Sequence, residues 1–373
     1  MKALPARPIV TATSTEVAAL VPAMGSPRFR WEQLQTAVWD PLVADFAHVT
    51  TLPQQVRQEL SSNFAFCAIS AEQETLLDDG RTVKLLARLQ DGEMVETVLM
   101  ETPARPGHRR RGTVCVTSQV GCAVGCPFCA TGRLGLTRSC TVAEVVDQVR
   151  LAQHLMAKRG REPVTNIVYM GMGEPLLALD TTIGSLRVLS GAGGFSPRRI
   201  TVSTSGIVPG IKRLAAEKIP VRLAISLHAA NDELRSRLVP VNRKYPLAAV
   251  VAAGVEYANI TGRRLTFEWC LIGGVNDTPG DAAQLAALAQ AAKAHVNLIP
   301  MNRIEGSPWG PPTRIAQERF LQELAEVNYT IRDTRGQFGD AACGQLRASY
   351  AARREVKLDG MLGRPVPGAV PQQ

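Results

Sequence analysis

Three cysteines that lie close together, Cys122, Cys126 and Cys129, constrain this 373-residue chain more than any other feature. They form the spacing Cys-x3-Cys-x2-Cys within the segment GCAVGCPFC. A cube of four irons and four sulfides needs a ligand on each iron, so three thiolates leave one iron free to bind a small molecule. Because the cysteines lie beside Gly121, Gly125 and Pro127, the segment is expected to be a loop folded around such a group. We therefore predict a [4Fe-4S] cluster with one open corner.

A zinc site and a packed core both agree less well with the cysteine triplet. Zinc takes four ligands, usually as two separated Cys-x2-Cys or Cys/His pairs, and no second pair follows here. Isolated cysteines pack as small apolar residues, but three so close together beside glycine and proline are not typical of a packed core. An open iron is the signature of radical S-adenosyl-L-methionine (SAM) chemistry, in which SAM occupies the open corner and its reductive cleavage gives a 5'-deoxyadenosyl radical.

Beyond Gly112 the chain alternates short apolar runs with amphipathic helical patterns, which is typical of a parallel sheet covered by helices. Strands are predicted in the six segments TVCVTSQ, NIVYMG, RITVST, RLAISLH, LTFEWCLI and VNLIPM. Six strand–helix units are too few for a closed eight-stranded barrel. The predicted fold class is therefore α/β, an open (β/α)6 partial TIM barrel whose first strand leads into the cysteine loop.

The chain divides into four predicted parts. Residues 1–62 contain short helical patterns and form a small N-terminal helical domain. Within 63–111, the segments VKLLARLQ and MVETVLM flank an Asp-Gly turn and predict a short β-hairpin linker. The barrel occupies 112–346, and the basic segment 347–373 is expected to be a loosely ordered tail.

Charge and hydropathy indicate a cytoplasmic protein with polyanionic partners. The formal net charge is +9, and such a basic excess favours phosphate contacts through counterion release. The most basic segment, RPGHRRR at 105–111, fits either an RNA contact or a solvated loop. No apolar run reaches the length of a membrane span, and the N-terminus lacks the apolar stretch of a signal peptide. The remaining cysteines show no secreted disulfide pattern, so we expect a cytoplasmic location.

Polar and glycine-containing segments follow the predicted strands, at the end of the barrel where such folds carry chemistry. In GMGEP, Gly173 lets the backbone approach a ligand, and Glu174 offers a carboxylate to the SAM amino group or the ribose hydroxyls. Five further residues offer hydroxyl, backbone, imidazole or amide groups that suit the methionine carboxylate, the ribose and the adenine of SAM. They are Ser203, Ser226, Leu227, His228 and Asn302. Each of these residues also fits an ordinary role as a turn former or strand-end residue.

Two further cysteines remain open to two interpretations from the residues alone. Cys343, in the segment AACGQL, fits either a buried small residue or an exposed thiolate nucleophile. Cys115 lies on the first barrel strand and points to the mouth of the barrel only if the strand register permits.

Several segments together resemble one family. They are VCVTSQVGCAVGCPFCATG, GMGEPLL, RRITVSTSGIVP, LAISLHAANDELR, LVPVNRKYP, NLIPMN and DTRGQFGDAACGQL. The chain is similar to radical SAM 23S rRNA (adenine-C2)-methyltransferases of the RlmN type, which are related to the Cfr enzymes that methylate C8. The resemblance spans nearly the whole chain to about Leu346, and the proline of GMGEP favours the C2 type.

The resemblance implies a two-step methyl transfer, because C2 of adenine is not nucleophilic. Cys343 takes a methyl group from one SAM to become S-methylcysteine, and a second SAM, bound on the cluster, yields the radical that removes hydrogen from that methyl. The methylene radical adds to the adenine. Cys115 is the resolving cysteine that attacks the Cys343 sulfur, and Glu96 is the proton acceptor. By the same match, the SAM contacts are Gly173, Glu174, Ser203, Ser226, Leu227, His228 and Asn302.

The resemblance also implies partners. The substrate is 23S rRNA, the electron donor is flavodoxin-like, and the N-terminal helical domain is an RNA-binding accessory domain. Some family members also methylate an adenine beside the anticodon of tRNAs, and we expect a monomer. Three alternatives remain: Cfr-like C8 methylation of the same adenine, a radical SAM enzyme acting on a non-RNA substrate, and an iron–sulfur or zinc RNA-binding module with a fourth ligand.

Overall fold

The structure of the chain, a computed structural model, describes residues 7–25, 28–104, 110–303 and 307–332. Cys343, the segment 347–373 and most of the basic run at 105–111 lie outside the described residues. Within the described ranges, no helix combines the length and the apolar character needed to span a membrane.

Helices form the N-terminal part of the chain, as the spacing of its apolar residues predicts. The elements are β1 (Arg7–Pro8), α1 (Ser14–Leu20), α2 (Arg28–Trp39), α3 (Gln54–Asn63) and β2 (Phe64–Ala65), and β1 pairs in parallel with β2. α1 begins at a capping box, in which the side chains of Thr13 and Glu16 each accept from the other residue's backbone N–H. The helices bury Val17, Leu34 and Leu60, so their apolar stripes face a common core.

The predicted hairpin is present and extends the barrel sheet. An antiparallel run of β3 (Ile69–Leu77), β4 (Thr82–Leu89) and β5 (Met94–Thr102) is followed by β6 (Arg111–Cys115), the first predicted barrel strand, which pairs antiparallel with β5. β3 was not predicted, because its sequence ISAEQETLL is mostly polar and exposed. Exposed charges on this edge strand disfavour pairing with another chain.

A short ribbon follows β6 and closes the loop that carries the three cysteines. β7 (Gln119–Gly121) and β8 (Leu136–Ser139) pair antiparallel, and the single turn α4 (Ala130–Arg133) lies between them.

All six predicted barrel strands are present and lie side by side in parallel. After β6 they are β9 (Val164–Tyr169), β10 (Ile200–Thr204), β11 (Arg222–Ser226), β12 (Thr266–Leu271) and β13 (His295–Pro300), and β14 (Tyr329–Ile331) adds a further parallel strand. The helices are α5 (Val142–Lys158), α6 (Leu179–Ser190), α7 (Val208–Ala216), α8 (Asp232–Leu238), α9 (Leu247–Thr261), α10 (Pro279–Ala291) and α11 (Arg314–Glu323). The sheet order β14-β13-β12-β11-β10-β9-β6-β5-β4-β3 leaves β14 and β3 at the edges, so the sheet formed by the described residues is open, as predicted.

Helix α5 joins the N-terminal helices to the barrel. It begins at the predicted capping box of Thr141 and Glu144. Its buried face, which includes Val146 and Val149, belongs to the same apolar core as Leu34 of α2. Burial of an apolar side chain of this size stabilises the fold by about 1.5–3 kcal/mol. One continuous core therefore supports the sheet from which the site projects.

Candidate active site

The three cysteines lie in a loop that leaves no room for side chains at two of its glycines. The Cys122 N–H donates to the Gly135 carbonyl at 2.7 Å, and a Cβ at Gly121, which has a φ of +82°, would lie 1.9 Å from the same oxygen. A Cβ at Gly132 would lie 2.7 Å from the Cys126 carbonyl oxygen. These close approaches of backbone to backbone require glycine and hold the loop in a single tight path.

The donor set of this loop fits an iron–sulfur cluster. Burial raises the pKa of Cys122 to about 11 and that of Cys126 even more, and negative charge on Cys129 or Glu174 raises both further. Burial therefore disfavours the thiolates of Cys122 and Cys126 unless a cation compensates them, and the irons of a bound cluster would supply that positive charge. Among the described residues, no three Cys, His, Asp or Glu side chains converge on one metal ion, as a tetrahedral zinc site requires. The ligands of a cubane bind separate irons and need not converge.

The cysteine loop packs against the C-terminal ends of the barrel strands. Phe128 of the loop contacts His228, just beyond β11, edge to face with ring centroids 4.9 Å apart. Cys122 and Cys126 pack against a buried apolar group whose members follow β11, β12 and β13. These members are Ala229, Leu238, Val239, Ile272 and Met301, and Val124 of the cysteine loop itself completes the group. The loop therefore lies at the end of the barrel where the SAM contacts were predicted.

Glu174 of the GMGEP segment connects three strand ends. Its Oε2 accepts from the Ser205 N–H at 2.6 Å and from the Ser205 hydroxyl at 2.7 Å, and its Oε1 accepts from the Leu176 N–H at 2.9 Å. Its own N–H donates to Gln119 Oε1 at 2.8 Å. Burial raises the pKa of Glu174, and the hydrogen bonds from Ser205 and Leu176 oppose that shift. Because these donors use three of about four acceptor positions, the carboxylate positions the loop in addition to any ligand contact.

The glycine before Glu174 is required by close packing. Gly173 has a φ of +96°, and a Cβ there would lie 2.5 Å from the Gln119 Cβ. The GMGEP backbone therefore lies directly against the segment that leads from β6 into the cysteine loop.

His228 is a fixed neutral imidazole at the end of β11. Its backbone has a φ of +60°, and its Nδ1 accepts from the Cys270 N–H at 2.9 Å, so the ring proton is on Nε2. Burial, together with the charge of Arg235, lowers the pKa of His228 to about 3. Buried Asn276 donates to the His228 carbonyl and to the Cys270 carbonyl, both at 2.8 Å. Asn276, which was not predicted from the sequence, thus joins the loops after β11 and β12.

A row of polar side chains crosses one face of the sheet. The hydroxyl oxygens of Ser203 and Ser226 lie 3.3 Å apart, and Ser226 is in register with Glu268, which is in register with Asn297. Asn297 donates to the Glu268 carboxylate at 2.7 Å. Burial raises the pKa of Glu268, and the charge of Arg332 opposes that shift. Glu268 and Asn297 were not predicted from the sequence, although an acid in the middle of an apolar strand is a visible signal.

Arg235 of α8 is a deeply buried charge at this end of the barrel that was not predicted from the sequence. It is fully buried, and its guanidinium donates to the carbonyls of Leu227 at 3.1 Å, Ser205 at 2.6 Å and Ser226 at 3.3 Å. A fourth bond reaches Asn242 Oδ1 at 2.6 Å. Burial lowers the pKa of Arg235 to about 10. The signal in the sequence is its position three residues before Leu238 on the apolar face of a helix.

Strand register places Cys115 and Glu96 on one face of the sheet. Cys115 pairs with Val98 of β5, and Glu96 lies two residues before Val98, so the two side chains project from the same side. Lys84 of β4 also pairs with Val98, and its Nζ lies 3.9 Å from a Glu96 carboxylate oxygen. All three side chains are buried, at no more than 5% exposure. Lys84 was not predicted from the sequence.

The remaining predicted site residues have less defined surroundings. Leu227 is buried, and its N–H donates to the Glu268 carbonyl at 2.9 Å. Asn302 is half-buried and lies two residues beyond β13, at the same end of the barrel. Cys343 lies outside the described residues, so its position relative to Cys115 remains a prediction.

Comparison with known proteins agrees with this site. The family model described as the Radical SAM superfamily matches residues 116–286. Proteins named "Probable dual-specificity RNA methyltransferase RlmN" are similar to this chain along most of their length. The protein of Salinispora tropica is 44% identical over 340 residues, which cover 88% of this chain and 90% of that protein. The protein of Dictyoglomus turgidum is 41% identical over 339 residues, which cover 90% of this chain and 95% of that protein. The crystal structure of a radical SAM methyltransferase from Sphaerobacter thermophilus matches with a TM-score of 0.84 at 45% identity, covering 91% of this chain and 98% of that one. Similarity of this extent shows that the chain belongs to the RlmN family of radical SAM RNA methyltransferases, enzymes that use a [4Fe-4S] cluster and SAM.

Proposed function

We propose that this chain methylates C2 of an adenine in 23S rRNA through an S-methylcysteine on Cys343. The observation that carries the proposal is the placement of Cys115 and Glu96 on one buried face. The Thr117 hydroxyl, two residues beyond Cys115, donates to the Glu96 carbonyl at 2.5 Å, so both residues lie at the end of β6 that leads into the cysteine loop. A thiol and a carboxylate in this position suit the release of a covalently held product.

In this proposal the cysteines and Glu96 of the chain have separate roles. The cluster and SAM, when bound through Cys122, Cys126 and Cys129, supply the radical that activates a methyl group. Cys343 carries that methyl group and receives it from a first SAM, with S-adenosylhomocysteine as the leaving group, so each turnover consumes two SAM. The methylene radical adds to adenine C2, and the adduct gives up its unpaired electron to the redox couple that supplied it. Glu96 accepts the proton from C2, and the Cys115 thiolate attacks the Cys343 sulfur to form a disulfide. The carbon–sulfur bond breaks with its electron pair on the methylene carbon, which takes up a proton to become the methyl group.

The residues at the strand ends are proposed to hold SAM. They are Gly173, Glu174, Ser203, Ser226, Leu227, His228 and Asn302. Hydrogen bonds that are already in place fix Glu174 and His228, which reduces the ordering that ligand binding requires.

We also extend the proposal to the partners and the domains. The helical segment 1–62 serves as the RNA-binding accessory domain, 63–111 connects it to the barrel at 112–346, and the basic segment 347–373 is the tail. A flavodoxin-like protein donates electrons, the chain acts as a monomer, and an adenine beside the anticodon of tRNA is a second substrate. The net charge of +9 supports RNA as the partner.

The Cys343→Ala variant tests the methyl carrier. Expressed in cells that lack an endogenous enzyme of this type, it should leave 23S rRNA without 2-methyladenosine, as measured by mass spectrometry of rRNA nucleosides. Cys67→Ala is the matched control, since Cys67 lies beside α5 and away from the cysteine loop, and it should retain the modification. Unchanged 2-methyladenosine in Cys343→Ala would contradict the proposal, and 8-methyladenosine in the wild type would assign the C8 reaction instead.

The Cys115→Ala variant tests the resolving step. Because nothing then releases the product, RNA should remain covalently attached to the protein and be visible as an adduct on a denaturing gel. The adduct should disappear when Cys343→Ala is added. In the wild type, one S-adenosylhomocysteine and one 5'-deoxyadenosine should form for each methylated adenine, and any other ratio argues against the use of two SAM.

A further inference from the structure

Basic residues at the surface cluster at the N-terminal ends of the barrel strands, opposite the cysteine loop. They stand at or just before the first residues of β10, β11, β12 and β13. The six residues Arg198, Arg199, Arg222, Arg263, Arg264 and His295, all exposed or half-buried, are termed the basic end. The segments that enter these four strands contain a single acidic residue, Glu217.

The members of the basic end are close enough to influence one another. Burial lowers the pKa of Arg263, and the charges of Arg222 and Arg198 lower it further. Burial likewise lowers the pKa of His295, and Arg264 and Arg222 add to this shift. The arginines that enter β10, β11 and β12 therefore form one positive surface, and His295, whose pKa they lower, borders it.

The basic end has no counter-charge within the part of the chain that the structure describes. None of its arginines forms an ion pair with a described carboxylate, and Glu217 is occupied by Arg187 and Arg213. The Arg263 Nε is buried and has no hydrogen-bond partner among the described residues. Elsewhere exposed arginines do find partners, as Arg314 does with Glu318 at 2.8 Å. A cluster of unpaired cations is a favourable site for an external polyanion.

We propose that the basic end binds the phosphate backbone of the RNA substrate, as a second contact area remote from the chemistry. This inference rests on the proposed RNA substrate. The basic side chains lie at the surface on strand entrances rather than enclosed in a pocket, which suits contact with a phosphate backbone and not with a single base. An acidic electron-donor protein is less suitable, because the cluster loop lies at the other ends of the same strands, about 20 Å away for a six-residue strand.

The test compares two double variants with the same loss of charge. R222Q/R264Q removes two exposed cations of the basic end, and R314Q/R319Q removes two exposed cations of α11. The probe is a protein-free 23S rRNA fragment that contains the substrate adenine, and its dissociation constant is measured over a series of salt concentrations. R222Q/R264Q should reduce the slope of log K against log salt by about 1.4 if the contacts are to single strands, or about 1.8 if they are to duplex. R314Q/R319Q should keep the wild-type slope.

Methylation kinetics separate this inference from the proposed function. With R222Q/R264Q, the KM for RNA should rise while kcat at saturating RNA stays at the wild-type value. If the wild type binds and methylates RNA but R222Q/R264Q retains the wild-type salt slope, the basic end is not an RNA contact and the proposed function stands. If the slope is retained and only turnover with a protein electron donor falls, while turnover with dithionite is unchanged, the surface serves the donor and the RNA assignment is wrong. A wild-type chain that neither binds nor methylates RNA would overturn both.

Discussion

Arg222 begins β11, and Arg235 donates to the carbonyls of Ser226 and Leu227 at the other end of the same strand, yet the two arginines have opposite surroundings. Arg235 is fully buried and donates to four acceptors, whereas Arg222 is exposed and has no ion pair with a described residue. The comparison extends to the two ends of the barrel. Charges at the cysteine-loop end are held in place by directional hydrogen bonds, while charges of the basic end act through long-range attraction. Substitutions should therefore destabilise the first end and leave the second end folded.

Replacement of Arg235 is expected to have the largest effect on stability. Arg235→Met fills a similar volume but removes the donors to the carbonyls of Ser205, Ser226 and Leu227, and each buried group left unpaired costs about 1–3 kcal/mol. Chemical denaturation should show a loss of roughly 3–5 kcal/mol in the free energy of unfolding. Arg237→Met, at an exposed position of the same helix, should change it by less than about 0.5 kcal/mol. Equal effects of the two variants would refute the distinction between buried and exposed arginines.

Two glycines of the cysteine loop offer a second contrast. Both have positive φ, but a Cβ at Gly121 would lie 1.9 Å from a backbone oxygen, whereas a Cβ at Gly125 meets nothing within 4 Å. Gly125→Ala should cost only the strain of a left-handed residue, about 1–2 kcal/mol. Gly121→Ala should cost roughly 2–4 kcal/mol, because overpacking is added to the strain. The iron content after anaerobic reconstitution should fall more in Gly121→Ala, and similar iron content in both variants would show that the close approach to Gly135 does not shape the loop.

Substitution of Glu268 is expected to change the stability by an intermediate amount that depends on pH. Because burial raises its pKa above the ordinary value of 4.5, the folded chain keeps this proton to a higher pH than the unfolded chain does. Glu268 therefore contributes stability that is lost as the pH rises from about 4.5 to the folded-state pKa. Glu268→Gln retains an acceptor for Asn297 but cannot ionise. Between pH 4.5 and the folded-state pKa, Glu268 of the wild type ionises only in the unfolded chain. Over this interval the free energy of unfolding of Glu268→Gln should rise relative to that of the wild type by about 1.4 kcal/mol per pH unit.

The exposed Glu323 supplies the control for that titration. Glu323→Gln removes an exposed carboxylate by the same substitution, and both variants are compared with the wild type by denaturation at fixed pH values. If the difference between Glu268→Gln and the wild type does not change with pH, then burial does not shift the titration of Glu268.

The smallest expected effect belongs to the basic end. R222Q/R264Q should change the free energy of unfolding by less than about 0.5 kcal/mol, because both side chains are exposed and neither pairs with a described carboxylate. Any change should be a slight gain at low salt, where repulsion among the arginines is relieved, and should vanish at high salt. A loss of more than about 1 kcal/mol in denaturation experiments would show that these arginines have a structural role.

The sequence patterns predicted the central strands of the barrel better than the edge strands of its sheet. The six apolar runs after Gly112 became β6 and β9–β13, because the face of each strand that packs against the covering helices must be apolar. The edge strands β3 and β14 have mostly exposed residues and carry no such pattern. The hairpin of β4 and β5 was recognised from its turn, but its continuity with the barrel depends on the pairing of β5 with β6, which is a long-range contact.

Local sequence patterns likewise identified only some of the residues at the candidate active site. Residues next to a glycine-rich or cysteine motif, such as Glu174, could be identified because the motif is local. Arg235, Glu268 and Lys84 were missed, because a charge within an apolar pattern signals burial but does not show which partners the fold places around it. The basic end was likewise missed, because its residues are spread along the chain from Arg198 to His295 and meet only where neighbouring strands begin.

The amino-acid sequence by itself determined the cysteine loop, the order of strands and helices, and the family resemblance, because these depend on spacing between residues that are close along the chain. Only the tertiary structure decided that Cys115 and Glu96 share a face, that Arg235 lies buried among carbonyls, and that the arginines of the basic end adjoin. The physical reason is that burial and charge proximity arise from strand register and helix packing, which bring together residues that no local pattern connects.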